Sequence, residues 1–179
     1  FNSKQYQKKY IKNLRDFLLK LNTDILELDF TLNGGGKTEV IASGLLPLFL
    51  LQSHKNLTNL EDSRDKKKEV LKIVNGEIQN LPVKVKKTVK MAQIPKKIIV
   101  KMGNQTASAA EQIILALHVL QDVIDIQFTG NPTAGFTTWI DYINLPNGGA
   151  IEFPVGNMTS VLGVKARANS RIYPQDLNP

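Results

Sequence analysis

The chain has no cysteine. That excludes disulfides, thiolate metal sites and a cysteine nucleophile. Histidine is nearly as scarce: His54 and His118 stand alone and far apart, so no metal centre is expected. Long apolar runs are missing too. The longest, Leu45 to Leu51, contains Pro47 and falls far short of the roughly 20 residues that cross a membrane, so no membrane span is expected. There is no signal-peptide pattern and no initiator methionine. The chain begins at Phe1 and ends at Pro179 in a polar stretch, and reads as a processed product or an excised part of a longer protein.

What is present is ordinary for a globular protein. With 179 residues, 42% hydrophobic and 22% charged, the chain can form one domain with a real core. The net charge of +7 is unevenly placed: residues 55–101 hold 13 Lys/Arg against 5 Asp/Glu. That stretch has no aromatic residue to stack on bases, so nucleic-acid binding is not expected. The surplus reads as a solvated basic face, or as affinity for an anionic cell wall. The absence of cysteine is compatible with an extracytoplasmic or secreted bacterial protein.

Periodicity organises the rest. Tyr6, Tyr10, Leu14, Phe17, Leu18 and Leu21 recur at three- and four-residue spacing, which predicts an amphipathic helix over 1–21. Leu26, Leu28, Phe30 and Leu32 alternate with Glu27, Asp29 and Thr31, which predicts a strand running into Asn33-Gly34-Gly35-Gly36. Thr38 to Leu51 reads as a helix disturbed by Pro47. Residues 53–93 look like a basic insertion within a single domain over 1–179, with short strands at Val70–Val74 and Val83–Val89. Ile98–Val100 is a core strand, Ala109–Leu120 a helix and Val123–Phe128 a strand. Trp139–Leu145 and Ala150–Val155 flank Pro146-Asn147-Gly148-Gly149, a hairpin signal, and Val164 to Pro179 looks irregular. Alternating helices and strands with a terminal hairpin indicate an α/β domain.

Gln105-Thr106-Ala107-Ser108-Ala109-Ala110-Glu111 lies between the Ile98–Val100 strand and the following helix. A serine there can be an exposed nucleophile, because unpaired N–H groups at the helix start can stabilise an oxyanion. Ser108-Ala109-Ala110-Glu111 also spells a capping box, in which Ser108 caps the helix and Glu111 reaches back to its amide. The heptapeptide alone leaves both readings open.

Three segments in order resemble the C-terminal-processing (tail-specific) serine peptidases. Leu28-Asp29-Phe30-Thr31-Leu32-Asn33-Gly34-Gly35-Gly36 is similar to that family's strand and glycine loop. Thr106-Ala107-Ser108-Ala109-Ala110-Glu111 is similar to its nucleophile turn. Gly130-Asn131-Pro132-Thr133-Ala134-Gly135, followed by Leu145-Pro146-Asn147-Gly148-Gly149-Ala150, is similar to its Pro-Thr loop and hairpin. The resemblance implies a Clp protease/crotonase-like fold of stacked ββα units. It implies Ser108 as nucleophile, with an oxyanion hole from the amide of Ala109 and one of the glycine loop, Gly35 or Gly36. It also implies a polypeptide substrate and no cofactor, and leaves room for a homo-oligomer. The Gly34–Gly36 backbone should then lie within about 6–8 Å of Ser108.

Two departures matter. Many members place a lysine base where this chain has Phe136, which cannot accept a proton. Their arginine in the glycine-loop strand is here Thr31. The pattern resembles the tricorn-like branch, whose histidine base lies well upstream of the glycine loop, before Phe1 in this numbering. His118 stands about 15 Å along the helix from Ser108 and is out of reach. His54 is the remaining local candidate. The leading reading is therefore a serine peptidase core that cleaves unfolded polypeptides or peptide tails through an acyl-Ser108 intermediate. The second is a non-catalytic module of the same fold, holding a peptide or apolar ligand. A third, a crotonase-like acyl-CoA enzyme, lacks an acid/base carboxylate beside Gly35.

Overall fold

In the computed structural model, the residues described are 4–51, 56–62, 68–74, 77–78, 91–162 and 171–179. The expected strand at Val83–Val89 and His54 lie outside them. The described chain is a mixed α/β fold with two sheets, as the alternation of elements predicts.

The first sheet is parallel, in the order β1 (Ile25–Asp29), β5 (Lys97–Met102), β6 (Asp125–Gly130). Leu26 pairs with Ile98 and Leu28 with Val100; Ile98 in turn pairs with Ile126 and Val100 with Phe128. These residues share one core with α2 (Thr38–Phe49) and α3 (Ala109–His118). The opposite face of the sheet carries charge, with Lys101 Nζ 2.9 Å from Glu27 and Lys97 Nζ 3.5 Å from Asp125. Parallel sheets are usually covered on both faces; here one face is core and the other holds ion pairs.

Both helices are apolar nearly all round, as buried helices are. Every residue of α2 from Ile41 to Phe49 and of α3 from Ala109 to Leu117 is buried. Pro47 sits inside α2 without ending it. In α1 (Lys4–Leu19) the apolar residues divide. Ile11 and Leu18 are buried, and Leu14 packs against Gly44 of α2, where a Cβ would stand 2.6 Å from Leu14 Cδ2. Tyr6, Tyr10 and Phe17, expected on the same buried face, are exposed.

The second sheet is antiparallel, in the order β4 (Glu77–Ile78), β3 (Lys68–Val74), β2 (Asn56–Asp62), β8 (Ala150–Ser160), β7 (Thr138–Asn144). The polar segment before Val70 thus contains β2, the central strand of this sheet. Gln112 ties the sheet to the helices. Its Nε2 donates to Thr58 Oγ1 at 2.9 Å, and its Oε1 accepts from Thr38 Oγ1 at 2.6 Å.

Some element ends differ from the sequence pattern for local reasons. Asp29 accepts from the Thr31 amide at 2.8 Å and the Thr31 hydroxyl at 2.6 Å, a side-chain turn that ends β1 early and leaves Leu32 exposed. A 3₁₀ turn over Val119–Asp122 follows α3, so β6 starts at Asp125 rather than Val123. Residues 171–179 of the tail hold regular structure where the sequence predicts an irregular segment. They form α4 (Pro174–Leu177), bury Ile172 and Leu177, and set Asn178 against Phe128, donating and accepting at 2.9 Å like an added strand.

Thr106 joins the ends of β1 and β5. It is fully buried, donates to the Phe30 carbonyl at 2.8 Å and accepts from the Gly103 amide at 2.9 Å. Thr106→Val keeps the shape but strands the Gly103 amide, while the Phe30 carbonyl keeps only the Asn33 amide. The expected loss is about 1–3 kcal/mol of unfolding free energy, read from urea denaturation.

Candidate active site

Three loops leave the carboxyl ends of the three parallel strands and converge. The first follows β1. Phe30 still donates to Lys101 O at 2.9 Å, extending the strand pairing, and Asn33 then donates back to Phe30 O at 2.9 Å to close a turn. The second follows β5, with Gly103 packed close to Thr31 and Ala107 donating to Asn33 O at 3.0 Å. The third follows β6, where Ala134 donates to Thr106 O at 2.9 Å. The parallel pairing holds the first two loops side by side at one edge.

Gly35 and Ser108 meet at this edge. A Cβ on Gly35 would stand 2.7 Å from Ser108 Cβ and 2.8 Å from the Ala107 carbonyl oxygen, so no larger residue fits. Gly35 and Gly36 have φ of 103° and 122°, a region that favours glycine. Ser108 shares the left-handed side at φ 54°, ψ −121° and is the one non-glycine residue with positive φ among those described. Such a backbone stores about 1–3 kcal/mol of strain, and persists where neighbouring contacts fix it.

Glu111 supplies that fixation. It is fully buried, yet its Oε2 accepts from the Ser108 amide at 2.8 Å and its Oε1 from the Gly135 amide at 2.9 Å. The Phe136 amide and the Thr133 hydroxyl lie near enough to favour its ionised form. Burial pushes its pKa above the usual carboxylate range, and these hydrogen bonds offset that only in part. The reciprocal pattern of a capping box is therefore present, but the Glu111 half is the firm one. The Ser108 hydroxyl makes no full cap bond, which leaves it half-exposed at the helix start.

The amides nearby differ. The Gly35 N–H is turned onto Asn33 Oδ1 at 3.1 Å. The N–H groups of Ala109 and Gly36 take no acceptor among the described residues, and a Cβ on Gly36 would meet nothing within 4 Å. Phe136 is 62% exposed beside this cluster. His118 is elsewhere, at the far end of α3, edge-on to Phe128 at 6.0 Å; desolvation lowers its pKa, opposed by Asp122. Thr31 holds Asp29 rather than the cluster. Asn33, Thr106 and Thr133 lie within the three matched motifs, but motif order does not reveal that they bind the loops together. Asn33 alone had a local signal, as an asparagine entering a glycine turn.

Glu111→Gln tests the clamp. One oxygen becomes an NH₂ that faces amide donors, so a loss of about 1–3 kcal/mol is expected near pH 5. The raised folded-state pKa sets the sign. The native state holds this proton more tightly than the unfolded chain, so wild-type stability falls as pH rises from the ordinary glutamate value through the raised one. Gln does not titrate. Paired denaturation curves from pH 4 to 8 should show the wild-type advantage shrinking with pH and then levelling.

The chain is similar to known proteins in both sequence and shape. The model of peptidase family S41 matches residues 1–175. Among curated proteins none matches. A solved lipoprotein from Streptococcus agalactiae superposes with a TM-score of 0.78 at 22% identity, over 97% of this chain and 57% of that one. The photosystem II D1 C-terminal processing protease superposes with a TM-score of 0.60 at 20% identity, over 97% of this chain and 39% of that one. A candidate S41 protease from Bacteroides fragilis gives 0.62 at 20% identity, over 97% and 42%. The chain thus spans 57% or less of the length of these neighbours. At these identities the superpositions establish the shared fold, while the sequence match over nearly the whole chain goes further: the chain belongs to peptidase family S41.

Proposed function

We propose that this domain is the nucleophile-bearing core of a serine peptidase acting on unfolded polypeptides or peptide tails. The observation that carries it is the approach of the Gly35 loop to Ser108, with the Ala109 and Gly36 amides taking no acceptor among the described residues. Two such donors stabilise an oxyanion by about 3 kcal/mol each in sites of this kind. Gly36 is the better placed of the two glycines, because Gly35 already donates to Asn33.

The chemistry runs by acyl transfer. Ser108 Oγ attacks the scissile carbonyl carbon as its proton passes to a base. The C–N bond breaks, the amine leaves with a proton, and water then hydrolyses the ester and restores Oγ–H. Phe136 cannot take the proton. Glu111 is saturated with donors and buried, and His118 lies at the other end of α3. The base is therefore a group outside the described residues, in keeping with a tricorn-like histidine or with His54. An extended substrate fits beside a sheet edge, as peptide-binding folds commonly use. An extracytoplasmic site of action agrees with the cysteine-free, basic composition.

The second reading, a binding module without turnover, draws support from Phe136, which occupies the place of the lysine base. One neighbour is described as a lipoprotein rather than a protease. Fluorophosphonate labelling separates the two. The full chain should label at Ser108 and residues 1–179 alone should label slowly. A full chain that stays unlabelled favours the binding module.

Ser108 variants separate nucleophile from cap. Because the hydroxyl makes no full cap bond, Ser108→Ala should change stability by less than about 0.5 kcal/mol and abolish peptide cleavage. Ser108→Gly should be inactive but equal or greater in stability, by up to about 1 kcal/mol, because it relieves the positive φ. A melting curve and a cleavage assay on both variants read this. Cleavage by Ser108→Ala ends the catalytic claim.

A further inference from the structure

The glycine loop also borders a cleft. The cleft, of 730 Å³, opens between the first turns of α1 and the first turn of α2. Gly35 and Gly36 form part of its lining, with Val40 and Ile41 from α2 and Tyr6 and Tyr10 from α1. Lys37 adds a single positive charge among the lining residues. The cleft exists because of how α1 docks. Leu14 lies tight against Gly44, with Ile11 and Leu18 in the core, so the helix is anchored along its later turns. Its first turns, with Tyr6 at 62% and Tyr10 at 46% exposure, then overhang the glycine loop.

Size and lining match a binding site for part of a ligand. Pockets of about 300–1,000 Å³ with apolar and aromatic walls and a few polar groups are the common form. Tyrosine suits such a wall, with large contact area and few rotatable bonds. The cleft shares Gly35 with the nucleophile turn, since a Cβ there would stand 2.7 Å from Ser108 Cβ. The cleft and the nucleophile turn are thus joined through one residue of the glycine loop.

We propose that this cleft is a specificity pocket that seats a large apolar or aromatic side chain next to the scissile bond, with Tyr6 and Tyr10 as its discriminating wall. This rests on the peptidase reading of Ser108. Lys37 sharpens the selection, because a lysine or arginine side chain would meet like charge in a partly desolvated space. The substrate class is then an extended peptide with Phe, Tyr or Leu beside the cleaved bond, not a basic one.

The test uses the full chain and fluorogenic peptides differing at one residue, Phe, Leu, Ala or Lys, placed in turn on each side of the scissile bond. Wild type is expected to favour Phe and Leu over Ala and Lys by about tenfold or more in kcat/KM at one of the two positions. Val40→Trp, which fills the cleft, and Tyr10→Ala, which removes a wall, should each cut the Phe-to-Ala ratio several-fold. Tyr10→Phe should restore most of it. Equal cleavage of Phe and Ala peptides by wild type, or an unchanged ratio in both variants, overturns the pocket. A small fluorophosphonate on wild type reports on the underlying reading separately. Labelling of Ser108 with no peptide selectivity sinks the pocket alone, and absence of both labelling and cleavage sinks the peptidase reading and the pocket with it.

Discussion

One buried carboxylate holds the candidate active site together. Glu111 takes the amide hydrogens of Ser108 and Gly135, with the Phe136 amide and the Thr133 hydroxyl close beside it. Thr133 passes the connection on, accepting from the Ile172 amide at 2.9 Å, so the C-terminal segment is tied in as well. A buried charge is unfavourable in itself, and the upward shift of its pKa shows that desolvation outweighs the bonds it gains. It is nevertheless hard to replace. The Ser108 and Gly135 amides would otherwise be left unpaired in or beside the core.

The strain at Ser108 makes sense beside this clamp. A positive φ at a residue with a Cβ relaxes unless its neighbours forbid it. Here the amide is fixed by Glu111, the following residues are locked in a fully buried helix, and Gly35 presses on the other side. The glycine has to be a glycine because the two turns are in contact. The parallel register sets their distance: Asp29 pairs with Lys101, so the loops after β1 and β5 leave the sheet level with each other. Met102 pairs with Gly130 in the same way and delivers the third loop. Sites at the carboxyl ends of parallel strands are a general outcome of such sheets.

The sequence was legible where a single segment decides its own structure. The alternation from Leu26 to Phe30, the apolar run of α2 and the Asn147-Gly148 hairpin follow from local pattern, and their elements are present. The motif order also pointed to the approach of Gly35 to Ser108. Errors arose where partners elsewhere decide burial. Tyr6, Tyr10 and Phe17 have the right spacing for a core face, but Ile11 and Leu18 are the buried residues of α1, and Leu14 is the one that packs on Gly44 of α2. Pro47 is tolerated in α2, where the surrounding core holds the helix. The tail reads as irregular, yet Asn178 completes the edge of β6 with side-chain bonds that no periodicity encodes.

By itself the sequence determined the elements and the chemistry on offer: a serine at a strand-to-helix turn, a flexible glycine loop, no cysteine and no lysine at Phe136. Those properties belong to residue types and short-range spacing. Only the tertiary structure decided that Glu111 joins the loops after β5 and β6 rather than merely capping one helix. It also decided which amides take no acceptor among the described residues, and that α1 overhangs the glycine loop to form a cleft. Each of these depends on the register between strands far apart in the chain and on burial that withdraws water from the amides. Such quantities exist only once distant segments are packed together.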